Sequence, residues 1–457
     1  MRGCAAGALI GGVTLPESGR SRVHARIDAV WRLESARIIG GLARMVNDVG
    51  LAEELAQDAL VAALEQWPES GVPDNPGAWL MAVGKRRAID RIRRDRSLDG
   101  KLAELGHRRE AEAHDPPSEF AAAEDPERIE DDVLRLIFTA CHPVLSARAR
   151  TALTLRMLGG LSTDEIARAF LVGEATVAQR IVRAKRTLSE AGVPFEVPEG
   201  PDRAARLASV LEVLYLIFNE GYAATAGDDW VRTDLCQEAL RLGRILAGLA
   251  PREPEVHGLV ALMEIQASRS RARTGPSGEP VPLLEQNRGR WDPLLIRRGF
   301  AALLRAKELG GTPGPYVLQA AIAACHARAR TAADTDWTQI AALYEVLAGT
   351  APSPVVELNR AVAVGMAHGP ERGLALLDAV ADDPALRGYH LLPGVRGDLL
   401  ARLGRTADAR AEFERAAGLT RNEPERRALL DRAARLAAAG MHEGRGTATD
   451  RAEEESR

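Results

Sequence analysis

Aromatic side chains make up only 4% of this sequence, and alternating runs rich in Val, Ile and Thr are almost missing from it. Strands are built from such residues, so the shortage excludes an all-β fold. Ala, Leu, Arg and Glu dominate instead, and the chain is expected to be all-α. Cysteine is scarce too. Cys4, Cys141, Cys236 and Cys325 lie far apart with no CxxC pair. That excludes a zinc finger or a disulfide framework and suits a reducing cytoplasm. No apolar run approaches the length of a membrane span. The opening MRGCAAGALIGGVTLPESGR holds too short an apolar stretch for a signal peptide, so residues 1–23 read as a disordered leader.

Catalytic signatures are lacking as well. There is no Walker phosphate loop, no HExxH, no GxSxG and no tight carboxylate pair in a glycine-rich setting. Cys141-His142 and Cys325-His326 are adjacent pairs, and neighbours on a helix point about 100° apart, so neither forms a ready dyad. Both read as buried structural residues. No enzymatic activity, metal site or cofactor is expected.

What is present is charge arranged in blocks. The formal net charge of −4 averages segments of opposite sign. Lys85 to Arg96 carries seven basic residues against two acidic, whereas Glu110 to Asp132 carries ten acidic residues and one arginine. The first attracts a polyanion and the second repels it. With 457 residues the chain exceeds one hydrophobic core. Its punctuation divides it into a helical block over 24–96, broken by PESGVPDNP at 68–76, and an acidic linker over 97–126 holding Pro116, Pro117 and Pro126. A second helical block follows over 127–196, closed by GVPFEVPEGP. A large helical region fills 197–442, and a charged tail over 443–457 reads as unstructured.

The sharpest local pattern is STDEIARAFLVGEATVAQRIVRAKRTL at 162–188. Ser162 or Thr163 can cap a first helix whose inner face is Ile166, Ala167 and Phe170. A short turn, LVG, precedes a second helix starting near Glu174. Val177, Ile181, Ala184 and Leu188 recur at helical spacing and should face inward. The opposite side presents Gln179, Arg183 and Arg186, flanked by Thr176 and Arg180. Arg pairs with guanine, Gln with adenine, and Thr with base or backbone, so this face has the chemistry to read DNA. The plain alternative is a solvated charged face. Leu171 takes the position at which such turns carry a left-handed glycine.

Upstream, AEELAQDAL forms an amphipathic helix in which Leu51, Leu55, Ala59 and Ala62 make the inner stripe and Glu54, Gln57 and Asp58 stand outside it. NPGAWLMAVGKRRAIDRIRR follows, with a proline near its helix start and an arginine cluster at its end. These two segments, an acidic linker and the helix-turn-helix, in that order, resemble the extracytoplasmic-function (ECF) members of the sigma-70 family over 24–96 and 127–196. The remaining chain resembles a subgroup bearing a C-terminal tetratricopeptide-like domain, through VLYLIFNEGYAAT, RWDPLLIRRG and VELNRAVAV. The resemblance covers about 24 to 440.

It implies a cytoplasmic, non-enzymatic bacterial initiation factor whose partners are core RNA polymerase (the β′ clamp and the β flap) and promoter DNA. Glu54, Gln57 and Asp58 would dock on the β′ clamp. Asn75, Trp79, Lys85, Arg86, Arg87, Arg91, Arg93 and Arg94 would engage the melted minus-ten element, where a single strand needs cations along its backbone and concave or aromatic surfaces for its bases. Trp79 can stack a base or, beside Leu80 and Val83, belong to the core. Thr176, Gln179, Arg180, Arg183 and Arg186 would read the minus-thirty-five element.

The C-terminal region has a period of its own. Ala363 and Gly397 lie 34 residues apart, as do Ala375 and Ala409, and 34 is the length of a tetratricopeptide helix pair. Gly397, Leu400, Gly404, Ala409, Phe413 and Ala416 suit the small and large positions of the last pair, while Pro393 sits where a large apolar residue belongs. A stacked α-solenoid would offer a concave surface to a protein or peptide. NEGY (219–222) and EQNRGRWD (285–292) read either as a ligand pocket between repeats or as plain packing elements. A stand-alone helix-turn-helix regulator with a helical sensor domain is the rival reading, and it leaves the acidic helix and the basic NPGAWL segment without a role.

Overall fold

The computed structural model describes residues 17–105, 126–223, 231–276 and 278–454. Among the described residues are eighteen α-helices and no strand, with one isolated bridge between Thr274 and Pro280. The chain divides into two units. The first reaches Val213, and the second begins at Leu214 and takes in residues 169–171.

The first unit contains α1 (Glu17–Val46), α2 (Val49–Ser70), α3 (Pro76–Leu105), α4 (Pro126–Ala140), α5 (Ala147–Met157), α6 (Thr163–Phe170), α7 (Glu174–Glu190) and the start of α8 (Gly200–Tyr222). Ile27, Trp31, Ile38, Ile39 and Leu42 of α1 are buried at helical spacing. Such side chains contribute about 1.5–3 kcal/mol each. Asp48 caps α2 by accepting from the Leu51 amide at 2.8 Å, and Asn75 caps α3 by accepting from the Ala78 amide at 3.0 Å.

Several boundaries move from the sequence expectation. Residues 17–23 of the supposed leader are the first turns of α1, and 1–16 lie outside the described residues. Helix α3 continues past Arg96 to Leu105, since no proline lies between Pro76 and Pro116 to stop it. Pro126 opens α4 rather than closing a linker, at a position where its missing N–H is harmless. The rest of that linker, 106–125, lies outside the described residues. The unit also extends beyond residue 196. Arg206 donates to the Phe138 carbonyl at 3.0 Å and Ser209 to the Cys141 carbonyl at 2.6 Å, supplying donors for the open C-terminal end of α4.

The second unit continues through α9 (Thr233–Leu249), α10 (Pro254–Ser268), α11 (Pro293–Leu309), α12 (Pro315–Arg328), α13 (Trp337–Thr350), α14 (Pro354–His368), α15 (Pro370–Val380), α16 (Leu391–Arg402), α17 (Thr406–Leu419) and α18 (Glu423–Glu454). Five of these helices open on proline, whose fixed φ suits a first turn. Their core is passed along the chain from neighbour to neighbour. Ile265 of α10 packs with Ala320 of α12, Leu318 of α12 with Ile340 of α13 and Ala363 of α14. Leu358 of α14 packs with Leu377 of α15 and Leu399 of α16, and Leu400 of α16 with Phe413 of α17 and Leu429 of α18.

The expected repeat is only partly followed. Gly397 lets the Phe413 ring approach so closely that an added Cβ would lie 2.8 Å from it, and Ala363, Leu400, Ala409 and Ala416 are buried. Ala375, however, is exposed while Ala409 is buried. The small contact residue of the α14–α15 pair is Gly373, against Gly365, because a single residue, Gly369, joins those two helices. Pro393 is buried inside α16. Helix α18 runs on to Glu454, through most of the tail expected to be coil, with no proline to break it. Among the described residues no helix is long and apolar enough to cross a membrane.

Candidate nucleic-acid and polymerase interface

Helix α6 starts on a reciprocal cap. Ser162 Oγ accepts from the Glu165 amide at 3.1 Å, and Glu165 Oε2 accepts from the Ser162 amide at 2.9 Å. The turn that follows puts Leu171 at φ 49°, so the left-handed position usual for glycine is kept by a leucine, with its side chain largely in solvent. A non-glycine residue there costs about 1–2 kcal/mol. Gly173 has an ordinary φ of −64° and is the N-cap of α7.

Val177, Ile181, Ala184 and Leu188 of α7 are buried, which turns the opposite face outward. Thr176, Gln179, Arg183 and Arg186 are exposed and Arg180 is half-buried. Thr176, Gln179, Arg180 and Arg183 line an open cleft of about 350 Å³ whose other wall is Val144, Ser146 and Ala149, at the start of α5. Two guanidinium groups thus border this hollow, which suits a phosphate. Among the described residues neither Arg180 nor Arg183 has a carboxylate partner, whereas Arg186 is drawn to Glu190 at 2.6 Å, which raises its pKa. Val182, 63% exposed, also stands on this helix and was passed over in the sequence. Its apolar surface can meet a thymine methyl. Only its burial pattern, not its residue type, reveals it.

On α2, Glu54 and Asp58 are exposed and Gln57 is half-buried, with its Nε2 enclosed and without a hydrogen-bond partner. Across from them α3 carries its arginines in two stripes. Arg87, Arg91 and Arg94 line a cleft of about 420 Å³ together with Glu54 and Asp58, and Arg87 pairs with Asp58 at 2.9 Å. Arg86 and Arg93, seven apart, are exposed on another stripe. Lys85 is half-buried. Asn75 is exposed but spends its side-chain oxygen on the helix cap. Trp79 is half-buried and meets Trp67 edge to face, ring centres 5.3 Å apart. The sequence assigned the acids and the arginines to different partners, and the structure gathers part of both sets in one cleft.

Comparison with known proteins accounts for these elements. Residues 32–98 match sigma-70 region 2, residues 135–188 match sigma-70 region 4, and residues 206–307 match a family of unknown function, DUF6596. An uncharacterized protein of Rhizobium meliloti (strain 1021) is 45% identical over 395 residues, which cover 86% of this chain and 92% of that protein. This chain belongs to the same family. A probable ECF RNA polymerase sigma factor of Mycobacterium tuberculosis, SigI, is 27% identical over 41% of this chain and 62% of its own length. The ECF RNA polymerase sigma factor SigK of Mycobacterium sp. (strain KMS) is 28% identical over 34% of this chain and 76% of its own length. No solved structure matches the chain. The two sigma-70 domains and these distant relatives support a sigma-factor role in transcription initiation.

Regions 2 and 4 meet within the first unit. Glu53 of region 2, buried on α2, accepts from Arg156 of α5 at 2.9 Å and from Lys185 of α7 at 2.6 Å. Lys185 also reaches Glu54 at 3.4 Å. Asp132 of α4 is held by Arg44 of α1 at 2.9 Å and by Arg135 at 2.8 Å. Burial pushes the Asp132 carboxyl above its ordinary range, and the two arginines pull against that shift. Sequence reasoning missed Glu53, since it placed only Glu54, Gln57 and Asp58 outside the apolar stripe and gave Glu53 no role. A glutamate one position after Ala52, on the edge of the apolar stripe, was the available signal. Asp132, counted in the acidic block Glu110–Asp132, is likewise a buried structural residue.

The cysteines behave as expected of buried groups. Burial pushes the Cys141 thiol up to about 11 and the Cys236 thiol up to about 12, and Cys325 is also buried. Cys4 lies outside the described residues.

Proposed function

We propose that this chain is an ECF-type sigma factor that directs core RNA polymerase to specific promoters and assists opening of the duplex in the cytoplasm. The observation that carries the reading is the outward face of α7. It presents Thr176, Gln179, Arg180 and Arg183 along one cleft, on a capped helix-turn-helix that matches sigma-70 region 4. In this account that face and Arg186 lie on the minus-thirty-five major groove, and region 4 meets the β flap. Arg86 and Arg93, with Asn75, Trp79, Lys85, Arg87, Arg91 and Arg94, follow the minus-ten strand. Glu54, Gln57 and Asp58 dock on the β′ clamp. Asp58 lies against Arg87, so docking at Asp58 releases an arginine toward DNA.

The second unit, a tetratricopeptide-like stack, modulates this activity through a protein or peptide partner on its concave side. We favour an activating role, because no segment resembles a release switch. The test is binding by the purified full chain. It should associate with core polymerase more tightly than with promoter DNA alone. Tight, specific DNA binding with no affinity for polymerase would favour the stand-alone regulator.

A further inference from the structure

The two sequence phrases left without a role, NEGY and EQNRGRWD, come together in the second unit around a group of arginines. Arg269, 9% exposed, donates to the Tyr222 hydroxyl at 2.6 Å and stands 5.7 Å from the ring centres of both Tyr222 and Trp291. Arg273 lies over the Tyr222 ring at 3.5 Å. Arg288 lies over the Trp291 ring at 4.9 Å and donates to the Ala329 carbonyl at 2.9 Å and to the His326 carbonyl, closing the C-terminal end of α12. His326, 8% exposed, completes the group.

Elsewhere in this unit buried charge is matched: Glu264 by Arg244 at 2.7 Å, Glu220 by Arg232 at 2.7 Å. Here it is not. Among the described residues neither Arg269 nor Arg288 has a carboxylate within ion-pair distance, and Asp334 acts on Arg288 only from farther away. Several donors are also left over. Arg269 Nε, Arg288 Nε and Trp291 Nε1 are buried without a hydrogen-bond partner, and so is His326 Nδ1. Aromatic faces and helix-end carbonyls offset part of the charge. A buried guanidinium without a counter-charge still carries a desolvation penalty that an opposite charge would offset. Arg288 and Tyr222 are half-buried and mark the side open to solvent.

We propose that Arg269, Arg288, Trp291 and His326 form an oxyanion site, taking the phosphate or carboxylate group of a small ligand. Guanidinium forks suit either group, and leftover N–H donors suit nothing but an acceptor. The pattern accounts for His326 as well. Burial and then the charges of Arg269 and Arg288 lower its pKa to about 4, leaving a neutral ring beside two cations. An anion seated between them reverses that repulsion.

The test is thermal unfolding and calorimetry of the full chain with inorganic phosphate, and separately with succinate, against chloride at equal ionic strength. Phosphate, succinate or both should raise the melting temperature beyond the chloride control, and the difference between the two arms identifies the group preferred. NMR of His326 should show its pKa rising with the active anion. Arg269→Gln should weaken that anion by about tenfold or more. It should melt no lower than the parent without anion, because it removes an unpaired charge. Trp291→Phe keeps the ring, removes one donor, and should weaken binding severalfold. It decides the matter if Arg269→Gln fails to fold. No response to either anion beyond chloride, or an equal response in both variants, would overturn the site and leave these arginines as packing residues.

Discussion

Lys185 of α7 lies 2.6 Å from the buried Glu53 of α2, so the helix that carries the proposed DNA-reading face is fastened by its other side to region 2. Arg156 holds the second position on the same carboxylate group at 2.9 Å. Removing one member of such a cluster leaves charge buried and unpaired, and Glu53→Ala should cost about 3 kcal/mol or more. Urea denaturation followed by circular dichroism measures this. An unchanged midpoint would show that the cluster adds nothing.

The same lysine reaches Glu54 at 3.4 Å, a proposed polymerase contact with its side chain mostly in solvent. Under the proposed docking, polymerase and Lys185 compete for Glu54. Lys185→Met should lower the stability of the first unit yet bind core polymerase up to about fivefold more tightly, the scale of one partly exposed ion pair. Fluorescence anisotropy with labelled protein distinguishes this from a loss of affinity, which would mean that Glu54 takes no part in docking.

Arg183→Ala should lose about 1–3 kcal/mol of discrimination at one promoter base pair while core-polymerase affinity stays intact. Arg180 and Gln179 share the cleft and are to be tested beside it. Selectivity unchanged across a minus-thirty-five library would remove Arg183 from the reading face. Arg186, already paired with Glu190, should have the smaller effect.

How much of this was legible in the sequence depends on how local the signal is. The α7 faces followed from a 3.6-residue period, which is set within a few residues, whereas the left-handed Leu171 did not, because a leucine at the usual glycine position left the turn geometry open. Glu53, Asp132 and the sharing of a cleft by Asp58 and Arg87 were not legible, because each depends on a partner in another helix. The boundary at 196 failed for a similar reason. A Pro/Gly-rich stretch marks a break in the chain, but the open carbonyls of α4 recruit Arg206 and Ser209 from beyond it.

That boundary changes the truncation experiment. A 1–196 fragment loses the donors that close α4, so a fragment ending at Val213 is the better comparison. It should fold yet drive transcription poorly with core polymerase. A fragment more active than the full chain would establish inhibition by the second unit.

His326 gives the second unit a pH dependence of definite sign. Its folded pKa, about 4, lies below the ordinary value of 6.5, because of burial and then Arg269 and Arg288. Between those values the unfolded chain binds a proton that the folded chain does not. Stability is therefore fully present above pH 6.5 and falls as the pH drops toward 4, by roughly 3 kcal/mol. His326→Gln should flatten the pH profile of thermal unfolding over that window. A profile identical to the parent would contradict the assignment.

The central claim is tested most directly by run-off transcription with core polymerase on a promoter library. The account predicts transcripts from a defined subset of promoters only when the full chain is present. They should be lost in a Glu54→Arg, Asp58→Arg double variant that still binds the minus-thirty-five sequence. Specific DNA binding with no transcripts from any promoter would contradict it.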